Sequence, residues 1–558
     1  GSEHTKPESL AAIEQFADVK LGKTVVHCKD TPGFIANRIG VYWMMLGLIE
    51  AMRLGISPQQ ADAVMGKPAG MPSTGIFGLF DLVGIDLMPL IAKAMLATLP
   101  ENDAFRALYQ EPELIKKMIA DGYTGRKGKG GFYRMNKQGE KKIKEVIDLK
   151  TGEYKAVASK IELASVEAAK AGLAALLTHP DIGGQYAASV LGGTLLYAAA
   201  LIPEISDDIA AVDNAMKLGY SWKYGPFEMI DRIGVENFNA MLKAKGKTIP
   251  PILATGKKLY AALDNHNAAL GINGQYTAIV PPAGTLMLGD IKLTHLLPPP
   301  TSGGRLGGGG GLKNASASLW DLGDGIACLE LTSKMNSVDP DILSLIEQTV
   351  ALVKKDFRGL VIGNDADNFS VGANLGFMLM AANIAAWKQI EDVIKAGQHA
   401  MMALKHSPFP VVSSLAGMAL GGGCEIILHS NAVQAHIESY PGLVEVGVGL
   451  IPAWGGCKEM LLRYADVNNP ANAMPTISKV FEIIGTAKTG GSALEAKDLK
   501  IMRENDAVSM NRTRVLADAK TRCLSMVDGY APPAPQNLRL NGETGKVALF
   551  MAIDGFAA

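Results

Sequence analysis

Near its middle the chain runs LLPPPTSGGRLGGGGGL, from Leu296 to Leu312. Three prolines followed by glycines build neither a helix interior nor a central strand, because proline removes backbone donors and glycine loses the most entropy on ordering. No single core threads through such a segment, so the chain on each side must close its own. The glycine run has no GxxxxGK[ST] pattern and no Lys-Ser/Thr pair opening a helix after it, which excludes a phosphate loop. At 558 residues the chain has room for roughly two to four domains.

The two sides differ in pattern. Before Leu296, stretches such as VYWMMLGLIEAMRLG place apolar residues at helical spacing and stop at a glycine, Gly55. This side also repeats itself. GIFGLFDLVG from Gly75 and GPFEMIDRIG from Gly225 share Gly, Phe, Asp and Gly at the same offsets. Each follows a candidate helix, QQADAVMGK or DDIAAVDNAMKLG, so two related helical units are expected. The repeat is imperfect, with Ile76 where the second copy has Pro226.

After Leu312, GIACLEL reads as a strand, DPDILSLIEQTVALVKK as an amphipathic helix and GLVIGND as another strand. A long helical stretch, the strand-like PVVSSLAG and a GGG turn entering a helix follow. Strands alternating with helices predict an α/β domain with mostly parallel pairing.

Charge and cysteine usage narrow the partners. Lys and Arg total 54 against 55 Asp and Glu, so no net field favours nucleic acid or an anionic membrane. Five scattered cysteines without CxxC spacing fit no disulfide or metal framework, and a cytoplasmic, reducing setting without a metal is expected. The uncharged run IGGQYAASVLGGTLLYAAALIP, from Ile182, has the length of a membrane span. Its four glycines, Gln185 and Thr194 read instead as a buried helix.

Three segments of the second half carry chemistry together: NFSVGANL (Asn368–Leu375), ALGGGCE around Gly421–Gly423, and GLVEVGVGLIPAWGG (Gly442–Gly456). A glycine turn entering a helix leaves amides free at the positive end of the helix dipole. The Gly422 amide, joined by that of Ala373 after Gly372, could form an oxyanion hole, with Gly421 and Gly423 clearing space. Glu425 and Glu445 could converge on one water as acid and base. Taken alone, GGG before a helix is equally the sequence of a tight turn, and a glutamate at a helix start equally a charge complement.

In this order the motifs resemble the crotonase, or enoyl-CoA hydratase, family from about Ser318 to Tyr530, with SALEAKDL (Ser492–Leu499) matching a later helix. The resemblance implies that the Ala373 and Gly422 amides polarise a CoA thioester and that Glu425 and Glu445 hold water. Glu425 would activate that water and Glu445 would protonate C2, the two labels being exchangeable. Having both glutamates favours hydration over isomerisation. Asn374 stands where many members have Asp, and Ala453-Trp454 replaces a more usual Gly-containing pair, departures that bear on substrate fit.

KDTPGFIANRI (Lys29–Ile39), GYTGRKGKGGFY (Gly122–Tyr133) and the two repeats resemble the helical C-terminal domain of 3-hydroxyacyl-CoA dehydrogenases, over roughly residues 20 to 290. That resemblance implies a substrate contact at Asn37, which is equally a polar residue at a helix start. The family's nucleotide fold precedes this motif. Here only a short segment does, including an expected strand, KTVVHCKD, in which His27 reads as structural. No strand–GxGxxG–helix unit occurs elsewhere.

The expected architecture is therefore multidomain: an all-α duplicated dehydrogenase C-terminal-type domain followed by an α/β crotonase-type domain of ββα spiral. Its divisions are a tag and residual segment (1–20), two helical units (21–150 and 151–295), the linker (296–312) and the crotonase-type domain (313–558), with a C-terminus read as truncated. The combined resemblance implies a fragment of a β-oxidation enzyme that hydrates trans-2-enoyl-CoA, with no cofactor of its own. NAD and the dehydrogenase step belong to a presumed full-length protein. Double-bond isomerisation and a non-catalytic acyl-CoA-binding or assembly fragment remain alternatives. A homodimer or a thiolase partner is the implied association.

Overall fold

The computed structural model describes residues 4–138, 141–264, 266–293, 312–465, 473–536, 538 and 540–557. The chain divides into two compact units, Val25–Ile279 and Val280 onward, the second joined by Thr5–Thr24. Leu288 and Ile291 are core residues of the second unit, so its packing begins before the Pro/Gly run. That run lies outside the described residues except for Leu312, which is buried. In the N-terminal piece, Asp18 accepts from Asn511 Nδ2 at 2.6 Å and pairs with Arg514, both within the second unit.

The first unit is built on helices α1 (Ala36–Leu54), α2 (Pro58–Val64), α3 (Phe77–Val83), α4 (Ile182–Ala200), α5 (Ile209–Tyr220) and α6 (Pro226–Ile233). Gly55 ends α1 in the left-handed conformation at φ 72°, as its position after the apolar run predicts. Helix α4 is the long uncharged run and is buried along most of its length. Among the described residues no helix is long and apolar enough to cross a membrane. The helical pattern is interrupted by two small antiparallel sheets, β1 (Tyr133–Gln138), β2 (Lys141–Ile147) and β3 (Tyr154–Ala156), then β4 (Tyr260–Leu263), β5 (His266–Leu270) and β6 (Tyr276–Ala278).

The duplication has a physical centre. Asp62, on α2, accepts from the Phe77 and Gly78 amides that start α3 and from the Tyr133 hydroxyl. Asp213, on α5, does the same for Phe227, Glu228 and Tyr260. Asp81 and Asp231, the shared aspartates of the repeats, each accept two amides from the strand carrying that tyrosine. Gly75 and Gly225 are required because a Cβ there would meet the Asp62 or Asp213 side chain at 2.6 and 2.3 Å or less. Pro226 explains the imperfect position: it fits the first turn, so α6 begins one residue earlier than α3 does.

The strand expected at KTVVHCKD does not form. Residues 22–29 have no regular secondary structure. Among the described residues no strand pairs with them, and Lys29 is anchored instead by its amide on Ile205 O and its ammonium on Pro203 O and Asp207.

The second unit is a six-stranded sheet in the order β12-β11-β10-β9-β8-β7, comprising β7 (Ala317–Asp321), β8 (Ile326–Leu331), β9 (Gly359–Gly363), β10 (Val411–Leu420), β11 (Ala432–Gly442) and β12 (Ala507–Ser509). All neighbours pair in parallel except β7 with β8. Helices α7 (Pro340–Asp356), α8 (Leu375–Asn383), α9 (Trp387–Lys405), α10 (Gly422–His429) and α11 (Gly456–Tyr464) follow or connect the strands. Strands β8 and β9 are buried throughout, as apolar runs in a covered parallel sheet should be.

Candidate active site

A cavity of about 260 Å³ opens beyond the end of β10, where the chain turns into α10. Gly372, Ala373, Gly421, Gly422, Glu425 and Glu445 all line it. The backbone brings the first two to the next two by a chain of bonds. Ser370 N donates to Met418 O, and Leu420 N donates back to Ser370 O at 2.9 Å. Val338 N then donates to Gly372 O and Asn374 N to Val338 O, a pairing that leaves the Ala373 amide facing away from it. A methyl placed on Gly372 would lie 3.3 Å from Gly422 N, and one on Gly422 would lie 3.4 Å from Ala373 N. The two amides are thus neighbours at one wall, and side chains at these glycines would fill the space between them. Asn374, in place of the more usual Asp, caps α8 by accepting from Gly376 N at 3.1 Å, a task either residue performs.

Glu425 is 2% exposed. Its Oε1 accepts the Trp454 and Gly456 amides, each at 2.8 Å, so the turn at 454–456 fixes one carboxyl oxygen. Burial pushes its pKa up to about 8, offset by the Gly456 amide and reinforced by the charge of Glu445. Glu445 opens a short turn, Glu445–Val448, and is also pushed up by burial, against its own and the Val444 amide. Among the described residues its Oε2 has no hydrogen-bond partner. Its Oε1 would lie 3.4 Å from a methyl on Gly421, so the second carboxyl also reaches the glycine turn.

Sequence reasoning missed what holds this arrangement. Gly455 sits at φ 114°, and a Cβ there would lie 2.8 Å from His429 Nε2. His429 is fully buried, its Nδ1 2.7 Å from Glu425 O, and burial pulls its pKa down to about 4. Its neutral ring is a spacer beneath the 454–456 turn. Beside it Glu459 binds Lys405 and Lys458, at 2.7 and 2.9 Å. The sequence signal was the i, i+4 spacing of Glu425 and His429, which puts both on one face of α10.

Two further candidate residues lie outside this cavity, and for Asn37, assigned to the dehydrogenase-type half, that is its expected place. Gly423 is not in the cavity lining; a Cβ there would lie 2.7 Å from Ser370 Cβ, so this glycine allows α10 to pack on the 370 segment. Asn37 is exposed near the start of α1, in the first unit. Next to it Arg38 is fully buried and bonded to Asp103, Glu204 and the Tyr197 hydroxyl, an ion cluster that ties α1 to α4. Among the described residues no three His, Cys, Asp or Glu side chains group to hold a metal ion. The first unit's described strands pair antiparallel in two groups of three.

Residues 33–135 match the family described as 3-hydroxyacyl-CoA dehydrogenase, C-terminal domain, and residues 322–474 match Enoyl-CoA hydratase/isomerase. A Bacillus subtilis protein named as a probable 3-hydroxyacyl-CoA dehydrogenase is 36% identical over 99% of this chain and 68% of its own length. A Rickettsia felis protein, provisionally named a fatty acid oxidation complex trifunctional enzyme, is 34% identical over 92% of this chain and 65% of its own. The chain thus spans about two thirds of the length of these relatives. The crystal structure of an enoyl-CoA hydratase from Bacillus anthracis aligns with 38% of this chain and 76% of that one, at 19% identity and a TM-score of 0.32. The chain belongs to the 3-hydroxyacyl-CoA dehydrogenase family, in the form that carries a dehydrogenase C-terminal domain followed by an enoyl-CoA hydratase/isomerase, or crotonase, domain.

Proposed function

We propose that the second unit hydrates trans-2-enoyl-CoA to 3-hydroxyacyl-CoA. The observation that carries this reading is the meeting, in one cavity, of two neighbouring amides and two carboxyls, the buried Glu425 and the half-buried Glu445. The thioester oxygen accepts from Ala373 N–H and Gly422 N–H, which stabilise the negative charge that develops there as water adds to C3. One carboxylate takes the proton that water loses, and the other carboxyl gives its proton to C2. The enzyme ends with the proton exchanged between the two groups, and a net molecule of water has been added. Two carboxyls that line one cavity and feel each other's charge titrate together, so the base and acid tasks belong to the pair, with Glu425 and Glu445 as its members. The 3-hydroxyacyl product of this step is the substrate class in the name of the Bacillus subtilis relative, a 3-hydroxyacyl-CoA dehydrogenase.

The test is loss of the conjugated-thioester absorbance of crotonyl-CoA on adding the purified chain, with Glu425→Gln and Glu445→Gln in parallel. No turnover by the unsubstituted chain overturns the hydratase reading. Consumption of a 3-enoyl-CoA without water addition would favour isomerisation instead.

A further inference from the structure

The cavity is small for a site that would take an acyl chain. Ligand pockets commonly run to about 300–1,000 Å³, and this one measures about 260 Å³. Among its described lining residues one side chain is conspicuously bulky. Trp454 is 6% exposed and lines the cavity, in the Ala-Trp pair that the sequence marks as unusual.

The indole is wedged between two glycines. A Cβ on Gly422 would lie 2.5 Å from Trp454 Cζ3, and a Cβ on Gly397, in α9, would lie 2.1 Å from its Nε1. Gln398 Nε2, next along α9, donates to Ala453 O at 2.8 Å and holds the turn against the same helix. Along α9, Ile390, Val393 and Ile394 face the cavity. One turn further the same stripe continues as Gly397 and Met401, both buried. The apolar wall therefore runs on beneath the indole, but the cavity stops at it.

We infer that Trp454, seated in the notch of Gly397, is the specificity-determining residue that ends the acyl cavity and restricts it to short-chain thioesters. The inference rests on the hydratase reading only for its kinetic readout. With the thioester at the Ala373 and Gly422 amides and C2–C3 between the glutamates, the acyl tail leads to the wall that α9 and the 454 turn form. A short tail fills the space in front of the indole. A long one has to displace it.

The two residues of the wedge give opposite expectations. Trp454→Ala removes the stop and extends the groove toward Met401. Gly397→Ala keeps α9 helical, since alanine is the better helix former, but forces the indole out of its notch toward the cavity. The full chain is assayed for kcat/KM on crotonyl-CoA and on trans-2-decenoyl-CoA, and titrated calorimetrically with butyryl-CoA and decanoyl-CoA. The unsubstituted protein should prefer the short thioester in both measurements. Trp454→Ala should raise the long-to-short ratio about tenfold or more, the factor expected from burying two further methylenes, and Gly397→Ala should lower it. An unchanged ratio in Trp454→Ala, an equal loss on both substrates, a raised ratio in Gly397→Ala, or a preference of the unsubstituted protein for the long thioester each overturns the inference. If Trp454→Ala does not fold, the Gly397→Ala ratio decides alone. If no thioester is hydrated, the reaction reading fails, and the calorimetric ratios still decide the chain-length inference.

Discussion

Glu425 Oε1 accepts the Trp454 amide at 2.8 Å, and the same oxygen accepts from Gly456 two residues later. The residue that walls the cavity thus also fixes one carboxyl of the pair through its backbone. Gly455 makes this possible: at φ 114° it turns the amides on either side toward one oxygen, with His429 packed beneath. Geometry of this kind costs the carboxyl little freedom when substrate arrives, which is what preorganisation requires.

Removing either carboxyl should therefore be felt in turnover more than in binding. Glu425→Gln keeps an acceptor for the two amides, and Glu445→Gln keeps the shape of its turn, so both variants should fold. Each should lose about 10²–10⁴-fold in kcat on crotonyl-CoA, the usual contribution of a general acid or base, with KM changed far less. Steady-state kinetics of both variants check this. Loss confined to KM would show that the glutamates only shape the cavity.

The pH dependence follows from burial. Glu425 is pushed up to about 8, with the charge of Glu445 adding to the effect of burial. Hydration needs one carboxyl protonated and one charged. Raising the pH through about 8 strips the shared proton, so kcat/KM should fall on the alkaline side with an apparent pKa near that value. The acid limb should report protonation of the second carboxyl. A flat profile from pH 6 to 9 would contradict this.

The outline of the second unit was readable because its residues declare themselves locally. GIACLEL and GLVIG are apolar runs with strand-like composition, and they became β8 and β9. The meeting of Ala373 with Gly422 could be raised from the glycine turns but not fixed by them, because it depends on Ser370, Met418 and Val338 pairing across a long sequence separation. The i, i+4 spacing put His429 on the face of Glu425 but did not show the turn packed on it, and the Trp454–Gly397 wedge left no signal: each is a contact between elements, decided by packing. In the first unit, the shared Gly, Phe and Asp of the repeats pointed to related units. The partners that give the repeat its meaning, Asp62 with Tyr133 and Asp213 with Tyr260, stand at unequal distances along the chain and leave no period to read.

Those partners make a separate prediction for the first unit. Asp213 is 1% exposed and accepts from Phe227 N, Glu228 N and Tyr260 Oη. Asp213→Ala leaves these donors without an acceptor in a buried site, which should cost about 2–4 kcal/mol of the unit's stability. Asp213→Asn keeps one acceptor and should cost less. Urea titrations of both variants, followed by circular dichroism, check the order, and equal stability of the two would remove Asp213 from the centre of the repeat.

Stability against pH gives an independent reading of Glu425, because it requires no substrate. Its folded pKa, about 8, lies above its ordinary value of 4.5, so the folded state holds a proton that the unfolded chain has released across that interval. Below about pH 4.5 both states are protonated and the group adds no pH dependence. As pH rises toward about 8 the unfolded state gains by ionising freely in water, and the folded state loses a few kcal/mol of relative stability. Glu425→Gln has no proton to release. The melting temperature of the variant, measured against the unsubstituted protein, should therefore rise from pH 5 to about pH 8, where Glu425 becomes ionised in the folded state too. A constant difference across that range would mean that Glu425 is ionised in the folded protein throughout, and the proton needed for C2 would then have to reside on Glu445.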